Sequence, residues 1–162
     1  IDEVIEGFDF DENTTQKEKC DKIYDYIISN ITYDYINMED PDYTLKFSAY
    51  AALVNKKAVC QGFASLFYRM ARECGLQVRV ISGTSNGQKH VWNIVKLGGY
   101  YYYLDATWDA GKENYENYLL GSDEFSNHIS DDEFEIEFKI TVDGDIVIIE
   151  PQLVYVGWAG VD

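Results

Sequence analysis

Residues 59–72 read VCQGFASLFYRMAR, and the other elements of the chain are best placed relative to this segment. Its large apolar residues recur at three- and four-residue spacing, which predicts an amphipathic helix with one buried face. These residues are Phe63, Leu66, Phe67 and Met70. Gly75 follows at a position where a left-handed residue commonly ends a helix. The segment therefore predicts a buried central helix.

The first turn of this helix holds a thiol and a glycine. Cys60 lies where unpaired N–H groups and the helix dipole favour the thiolate, which is the reactive form of cysteine. Gly62 leaves room for another stretch of backbone to come close. Most free cysteines are small buried apolar residues, so this helix alone slightly favours a packing role for Cys60.

Two predicted strands supply possible partners for Cys60. His90 begins a strand at 90–97, Asp105 lies late in a strand at 100–108, and Gly-Gly between them is a hairpin signal. A turn centred there places His90 opposite residue 107, on the same face as Asp105 and within side-chain reach. Such a carboxylate orients one imidazole nitrogen and leaves the other for a thiol. Taken singly, a strand-edge role for His90 and a capping role for Asp105 are simpler interpretations.

The remaining sequence predicts elements on either side of these segments. A helix begins at Thr15, where Glu18 completes a capping box, and runs to about Asn30. The other predictions are a short helix at 48–54, strands at 78–82, 118–122 and 152–156, polar turns at 83–88 and 122–132, and a hairpin at 134–149. We expect an extended or loosely docked N-terminal arm at 1–13, a core at 14–128 and C-terminal strands at 129–162. The C-terminal strands complete or extend the sheet.

Composition excludes several functional classes. The 162 residues carry a net charge of −16, which argues against binding nucleic acid or an anionic membrane surface. No run of about 18 apolar residues is present, so membrane insertion is not predicted. Three cysteines cannot all pair within one chain, and Cys20 and Cys74 are either buried free thiols or a disulfide.

Four short motifs carry a resemblance to a known family. The sequence reads ITYD at 31–34, CQGF at 60–63, HVWN at 90–93 and DATWD at 105–109. In this order and at these intervals the motifs resemble the bacterial transglutaminase-like core of the papain-like superfamily. The resemblance implies an α+β fold in which a central helix with an N-terminal Cys packs on an antiparallel β-sheet.

The resemblance also implies a catalytic triad of Cys60, His90 and Asp105. In that family the thiol attacks an amide or ester carbonyl to give a thioester, the imidazole acts as base and then as acid, and the carboxylate orients the imidazole. The backbone N–H of Cys60 would supply part of the oxyanion hole. The second donor is left open among Tyr33, Tyr35 and Tyr50, with Gln61 a weaker candidate.

Aromatic residues near the motifs have two interpretations. Trp92, Trp108 and Tyr101 are candidates to line a substrate groove. Trp92 and Trp108 are more simply packing residues, and the tyrosine run at 100–103 is more simply the alternation of a strand. A zinc site from Cys60, His90 and Asp105, with or without His128, is the weakest alternative, since no C-x-x-C or H-x-x-x-H pair is present. No metal or cofactor is therefore predicted, and His128 is interpreted as a surface loop residue.

Two functions follow from these observations. The first is a thiol-dependent acyl-transfer enzyme, a peptidase, amidase or transglutaminase, acting on a peptide or protein substrate that could be a cell-wall peptide. The second is a non-catalytic cell-surface interaction module that keeps the fold. The acidic charge and the lack of an initial Met lead us to expect a fragment of an exported bacterial protein, located outside the cell or at its surface.

Overall fold

The computed structural model describes the backbone of residues 1–158 and their side chains, except those of 132–136, 153 and 155–158. The helices are α1 Asp2–Glu6, α2 Gln16–Asn30, α3 Cys60–Glu73 and α4 Ala106–Asp109, with a 3₁₀ helix Thr44–Phe47 and a π-helical turn Ala51–Asn55. The strands are β1 Thr32–Tyr33, β2 Lys57–Ala58, β3 Gln77–Ser85, β4 Gln88–Leu97, β5 Tyr100–Leu104, β6 His128–Ser130, β7 Asp132–Asp143 and β8 Ile146–Trp158. No described helix is both long and apolar enough to cross a membrane.

Helices α2 and α3, which the sequence predicts, pack against each other and enclose most of the main core. The side chain of Thr15 accepts from the N–H of Glu18, and the Glu18 carboxylate accepts from the N–H of Thr15 at 2.8 Å. This capping box satisfies free N–H groups at the start of α2. The fully buried residues contributed by the two helices include Cys20, Ile23, Tyr24, Ile27, Phe63, Leu66, Phe67 and Met70.

Four antiparallel strands form the main sheet in the order β5-β4-β3-β6. Strands β4 and β5 pair in the predicted register, with Asn93 opposite Leu104. The predicted turn at 83–88 is partly wrong, because β3 continues to Ser85 and only Asn86-Gly87 form the turn. Both turn residues have positive φ, which is typical of a two-residue hairpin at an Asn-Gly pair.

The strand predicted at 100–108 is too long. Strand β5 ends at Leu104, and the side chain of Asp105 accepts from the N–H groups of Thr107 and Trp108. An aspartate in this position caps a helix, and α4 begins at the next residue. The capping interpretation of Asp105 is therefore correct, but it does not exclude a role in the site.

Both faces of the sheet are covered. One face contacts the α2–α3 core through Val78, Val95 and Leu97. The opposite face carries a second cluster of Ile81, Trp92, Ile94 and Phe125, with Tyr101, Tyr103 and Leu120 at its edge. The predicted strand at 118–122 is reduced to a single bridge between Tyr103 and Leu120. The segment after α4 thus packs on the second face, and its end carries His128.

The two ends of the chain differ from each other in how they join the core. The N-terminal segment is helical at Asp2–Glu6, so the prediction that it is extended is wrong. Its apolar side chains at Ile1, Val4, Ile5 and Phe8 pack against the main core. At the other end β6 joins the sheet beside β3, whereas β7 and β8 form a separate two-stranded sheet. The C-terminal segment therefore both completes the sheet and extends past it, while the domain boundaries remain predictions.

Candidate active site

Cys60, His90 and Asp105 converge where the N-terminus of α3 meets the start of β4. His90 Nε2 lies 2.5 Å from Oδ2 of Asp105. Cys60 and His90 line the same groove, and the nearby thiol contributes to the raised pKa of His90. The side chains of His90 and Asp105 are 9% and 1% exposed, and Cys60 is partly exposed. A buried imidazole–carboxylate pair therefore lies beside a thiol that solvent can reach.

The contact between His90 and Asp105 is correct as predicted, but its structural origin differs. It does not arise between side chains on two paired strands, since β5 has already ended at Leu104. Oδ1 of Asp105 accepts from the N–H of Thr107 at 3.0 Å and of Trp108 at 3.3 Å. These two bonds fix the carboxylate, because they leave Oδ2 directed at the imidazole.

A second imidazole contacts the same carboxylate oxygen. His128 Nε2 lies 2.9 Å from Oδ2 of Asp105, and its side chain is fully buried. The interpretation of His128 as a surface loop residue is wrong, because β6 pairs with β3 and places it on the face that also carries His90. One signal could have identified it: the chain has two histidines, and the structure brings both to this site.

The charges of this cluster are strongly coupled. Burial lowers the pKa of His90, but hydrogen bonds with Asp105 and Cys60 outweigh burial and raise the pKa to about 9. Burial raises the pKa of Asp105, but hydrogen bonds from His128 and His90 outweigh it and leave that pKa below its ordinary value. The arrangement thus favours an imidazolium beside a carboxylate at neutral pH. An imidazolium next to a thiol is the partner that a nucleophilic cysteine needs.

A short parallel strand pair brings Tyr33 close to the thiol. Strands β1 and β2 pair with Tyr33 opposite Ala58, and the N–H of Asp34 donates to the carbonyl of Ala58 at 3.0 Å. Burial and then the nearby Cys60 charge raise the pKa of Tyr33. The segment that delivers Cys60 is therefore held against the exit of α2.

Gly62 lets the chain before the π-helical turn pack directly on the first turn of α3. A Cβ at this position would lie 2.5 Å from Cβ of Ala58 and 2.9 Å from the carbonyl oxygen of Lys46. The same carbonyl accepts from the N–H of Val59 at 3.1 Å. The prediction that Gly62 permits close approach of the backbone is confirmed.

Lys46 is a buried cation that the sequence did not indicate. It is 3% exposed, and Nζ donates to the carbonyl oxygens of Asn37 at 2.8 Å, Met38 at 2.9 Å and Asp40 at 2.5 Å. Three carbonyl acceptors match the three donors of an ammonium group. Lys46 thereby ties the preceding loop to the 3₁₀ helix, and the next residue, Phe47, lines the groove at Cys60.

A groove of about 590 Å³ opens at Cys60 and His90. Its walls come from the 3₁₀ helix, the first turn of α3, the β3–β4 hairpin and the end of β6. The side chains around it include Phe47, Gln61, Thr84, Lys89 and Asp131. Both charge signs are thus present along the groove.

None of the three predicted groove residues is among those that line the groove at Cys60. Trp92 is 2% exposed and packs in the second cluster. Tyr101 lines a different cavity, together with Phe138 and Pro151. Trp108 is partly buried beside the imidazole, with its ring centroid 5.5 Å from that of His90.

The candidates for the second oxyanion donor differ in exposure and in their relation to Cys60. Gln61 follows Cys60 on α3 and lines the groove, and Tyr33 is electrostatically coupled to Cys60. Tyr35 and Tyr50 are largely exposed, and the ring of Tyr35 rests on Tyr33 with centroids 4.8 Å apart. Position therefore favours Tyr33 and Gln61.

The other two cysteines have a different character from Cys60. Both are free thiols, which favours that alternative over a disulfide. Burial raises the pKa of Cys20 to about 12 and also raises the pKa of Cys74. Each is therefore a poor nucleophile near neutral pH.

The cluster also has the dimensions of a small metal site. One ligand-type atom each of His90, Asp105 and His128 lies within 4.8 Å of the others. Oδ2 of Asp105 is at hydrogen-bond distance from both imidazoles, and Oδ1 is engaged by the start of α4. These donors and acceptors are satisfied by one another, so we interpret the cluster as a hydrogen-bonded network.

Comparison with known sequences agrees with this arrangement. The model of the transglutaminase-like superfamily matches residues 7–106, which is more than half of the 162 residues. The human Kyphoscoliosis peptidase is 30% identical over 123 residues, covering 68% of this chain and 18% of that protein. The chain thus spans less than a fifth of the length of this relative.

Solved structures share the fold at low sequence identity. A TGase crystal structure has a TM-score of 0.58 and 22% identity, covering 76% of this chain and 35% of that one. An arylamine N-acetyltransferase from Bacillus cereus with a Cys-His-Glu catalytic triad has a TM-score of 0.52 and 13% identity, covering 99% and 70%. Helix α3 on its antiparallel sheet is thus the predicted papain-like arrangement. With residues 7–106 matched by the family model, the chain belongs to the transglutaminase-like superfamily, whose members are commonly cysteine-dependent acyltransferases or peptidases.

Proposed function

We propose that the chain is a thiol-dependent acyl-transfer enzyme that acts on amides of peptides or proteins. One observation carries the proposal. The imidazole of His90 lies 2.5 Å through Nε2 from Oδ2 of Asp105, and His90 and Cys60 line the same groove. Nucleophile, base and orienting carboxylate thus stand in the order that covalent acyl transfer needs.

The reaction follows from these contacts. The sulfur of Cys60 attacks the amide carbon, and the electron pair of the C=O bond moves to oxygen. The backbone N–H of Cys60, at the start of α3, and Tyr33 or Gln61 supply the donors for that oxygen. The amide C–N bond then breaks as His90 gives its Nδ1 proton to the leaving nitrogen, which leaves a thioester on Cys60.

The second half of the reaction regenerates the thiolate. Water or an amine attacks the thioester carbon while His90 takes the proton from the incoming group. The C–S bond breaks, the product acid or amide leaves, and Cys60 and His90 return to their starting charges. Water as acceptor gives a peptidase or amidase, and an amine gives a transglutaminase. The expectations of a cell-wall peptide substrate and of a location outside the cell remain predictions.

Alkylation of the thiol by iodoacetamide tests the proposal without knowledge of the substrate. We expect Cys60 to be modified at least about tenfold faster than Cys20 and Cys74 at pH 7, because burial raises the pKa of both other thiols. His90→Phe removes the imidazole and should slow modification of Cys60 to the rate of an ordinary thiol. Mass spectrometry of peptides after short exposures gives the three rates.

A second measurement asks for turnover. Wild-type protein incubated with a library of peptides and a labelled primary amine should yield shortened, deamidated or amine-labelled products, and Cys60→Ala should yield none while unfolding at nearly the same temperature. Gross unfolding of Cys60→Ala would return Cys60 to a packing role. Equal alkylation of Cys60 in the wild type and in His90→Phe would remove the basis of the proposal. Fast alkylation without any product, together with peptide binding to the groove, would favour the interaction module instead.

A further inference from the structure

The second histidine of the chain is not used by the chemistry proposed above, although it is buried against the reacting groups. His128 Nε2 lies 2.9 Å from Oδ2 of Asp105, the same oxygen that lies 2.5 Å from His90. The two imidazole centroids are 5.6 Å apart. A carboxylate oxygen with two ring donors is held from two directions.

The other nitrogen of His128 also has an acceptor. Nδ1 lies 2.8 Å from Oδ1 of Asn127, and an amide oxygen accepts only. The carboxylate of Asp105 likewise accepts from Nε2. Asn127 and Asp105 therefore hold the ring of His128 through both of its nitrogens.

Aromatic side chains fix the position of the His128 ring, and its charged hydrogen-bond partner is Asp105. Its ring stacks on Phe125 at 3.7 Å with an angle of 11°, and its centroid is 4.9 Å from both Trp92 and Trp108. Asn127, the preceding residue, is uncharged. The ionisable groups that face His128 among the described contacts are Asp105, before α4, and His90, on β4, with Cys60 of α3 behind His90. Because the other neighbours of the His128 ring are mostly aromatic, its polar interaction on this side is with the carboxylate of Asp105.

Close approach of two strands places His128 in this position. Gly83 of β3 pairs with His90 on one side and with Ser130 of β6 on the other. A Cβ at Gly83 would lie 2.0 Å from the carbonyl oxygen of Ile129. Strand β6 can therefore reach β3 only because residue 83 has no side chain.

We propose that His128 is a positioning residue that holds the Asp105 carboxylate opposite His90, so that one carboxylate is shared by two imidazoles. This inference rests on the proposed role of Cys60, His90 and Asp105. Sharing has two consequences. It keeps Oδ2 aligned with His90, and it limits how strongly Asp105 stabilises the imidazolium form of His90.

Side-chain NMR of the chain tests the sharing directly, because wild type has two histidines and each His128 variant has one. His128→Phe keeps the aromatic packing but removes both donors, so the His90 midpoint should rise by roughly one pH unit. His128→Gln keeps an amide donor for Oδ2 and should leave the midpoint close to that of wild type.

The same variants should change the reactivity of Cys60 in parallel. Because a higher His90 midpoint keeps the imidazolium beside the thiol to higher pH, rapid alkylation of Cys60 should extend to more alkaline pH in His128→Phe, and His128→Gln should leave the alkylation profile close to that of wild type. A purely structural role predicts that both variants lose thermal stability with no change in the His90 midpoint, and that result would overturn the inference. Zinc that binds after dialysis against a chelator, displaces the proton signals of both rings and raises the unfolding temperature would overturn it too.

Failure of the proposed function gives a different pattern. In that case alkylation of Cys60 is insensitive to His90→Phe, whatever the spectra show. The NMR shifts report on Asp105 and its two imidazoles without any reaction at sulfur. The two ideas can therefore fail separately.

Discussion

Asp105 does two things with one carboxylate. Oδ1 caps α4 and Oδ2 contacts two imidazoles. A helix cap fixes the direction of the side chain without using the oxygen that faces the site. Orientation of His90 thus depends on a backbone feature, the start of α4, as much as on the identity of the acid.

Replacing Asp105 with Asn separates these two tasks. Asn caps helices about as well as Asp, so α4 should persist, but the loss of negative charge lowers the pKa of His90 towards its ordinary value. We therefore expect rapid alkylation of Cys60 to end at a lower pH in Asp105→Asn than in wild type. Turnover should fall by about 10²–10⁴-fold, as for neutral replacements of the acid in other triads. The pH profile of alkylation and product assays measure these effects.

Asp109 provides the matched control. It is a fully buried carboxylate three residues into α4 that accepts from Tyr24 Oη at 2.7 Å and from the N–H of Asn117 at 2.9 Å. Asp109→Asn should lower stability and leave the alkaline limit of the alkylation profile in place. A similar pH shift in both variants would mean that the effect of Asp105→Asn comes from general damage to the fold.

Two glycines allow secondary-structure elements near the site to pack closely against each other. Gly62 lets the strand and 3₁₀ helix before α3 lie on its first turn, and Gly83 lets β6 close on β3. The contact at Gly62 positions the first turn of α3, which carries Cys60. The contact at Gly83 positions β6, which carries His128. Both are positions at which a Cβ would meet backbone or Cβ atoms rather than the end of a flexible side chain.

Gly62→Ala should destabilise the chain by about 1–3 kcal/mol, the usual cost of an added group in a tightly packed place. Alanine is the better helix former by about 1 kcal/mol, so a net loss reports the clash. Urea unfolding measures it. Gly121→Ala is the control, since its Cβ would meet only Glu124 Oε2 at an ordinary 3.6 Å, and we expect a change within about 0.5 kcal/mol. Equal effects at both sites would contradict the packing account.

Gly83→Ala should act on the site through β6. The added methyl forces the strand away from β3, which withdraws His128 from Asp105. We therefore expect the His90 midpoint to rise in the same direction as in His128→Phe, read from the same NMR titration. Ser82→Ala, on the same strand, keeps the backbone bond from Asp131 N–H to the Ser82 carbonyl and should leave the midpoint unchanged. An unchanged midpoint in Gly83→Ala would show that β6 does not need this close contact.

At the scale of the whole molecule, the charges of the site couple to folding. The folded pKa of His90 is raised to about 9, above the value of about 6.5 for an unfolded histidine. Its contribution to stability is therefore complete below about pH 6.5 and is lost as the pH rises through about 9. The folded pKa of Asp105 is lowered, so its contribution is present above the ordinary value and is lost as the pH falls through the lower one.

We therefore expect the free energy of unfolding to decline between pH 7 and 9, by at most about 1.4 kcal/mol per pH unit for one proton. Urea unfolding at a series of pH values measures this slope. His90→Phe should show a flatter curve in the same window, although it is less stable at pH 7. Parallel curves for wild type and variant would show that His90 titrates alike in the folded and unfolded chains.

The sequence by itself determined α2, α3 and the β4–β5 register, and it predicts the trio of Cys60, His90 and Asp105. Periodic apolar residues predict α2 and α3, the Gly-Gly pair predicts the β4–β5 register, and a thiol at a helix start with His90 and Asp105 nearby predicts the chemistry. These features depend on short-range geometry, which spacing along the chain records. The register calculation placed Asp105 near His90 even though the residue turned out to begin α4.

Only the tertiary structure decided which distant residues complete the site. His128 lies 23 residues from Asp105 along the chain and reaches it because β6 adds to the far edge of β3. Lys46 is buried because three carbonyls of a loop surround it. Trp92 and Tyr101 pack in or against the second cluster and therefore do not line the groove. Such outcomes depend on which face of the sheet each segment covers, and no local period in the sequence encodes that choice.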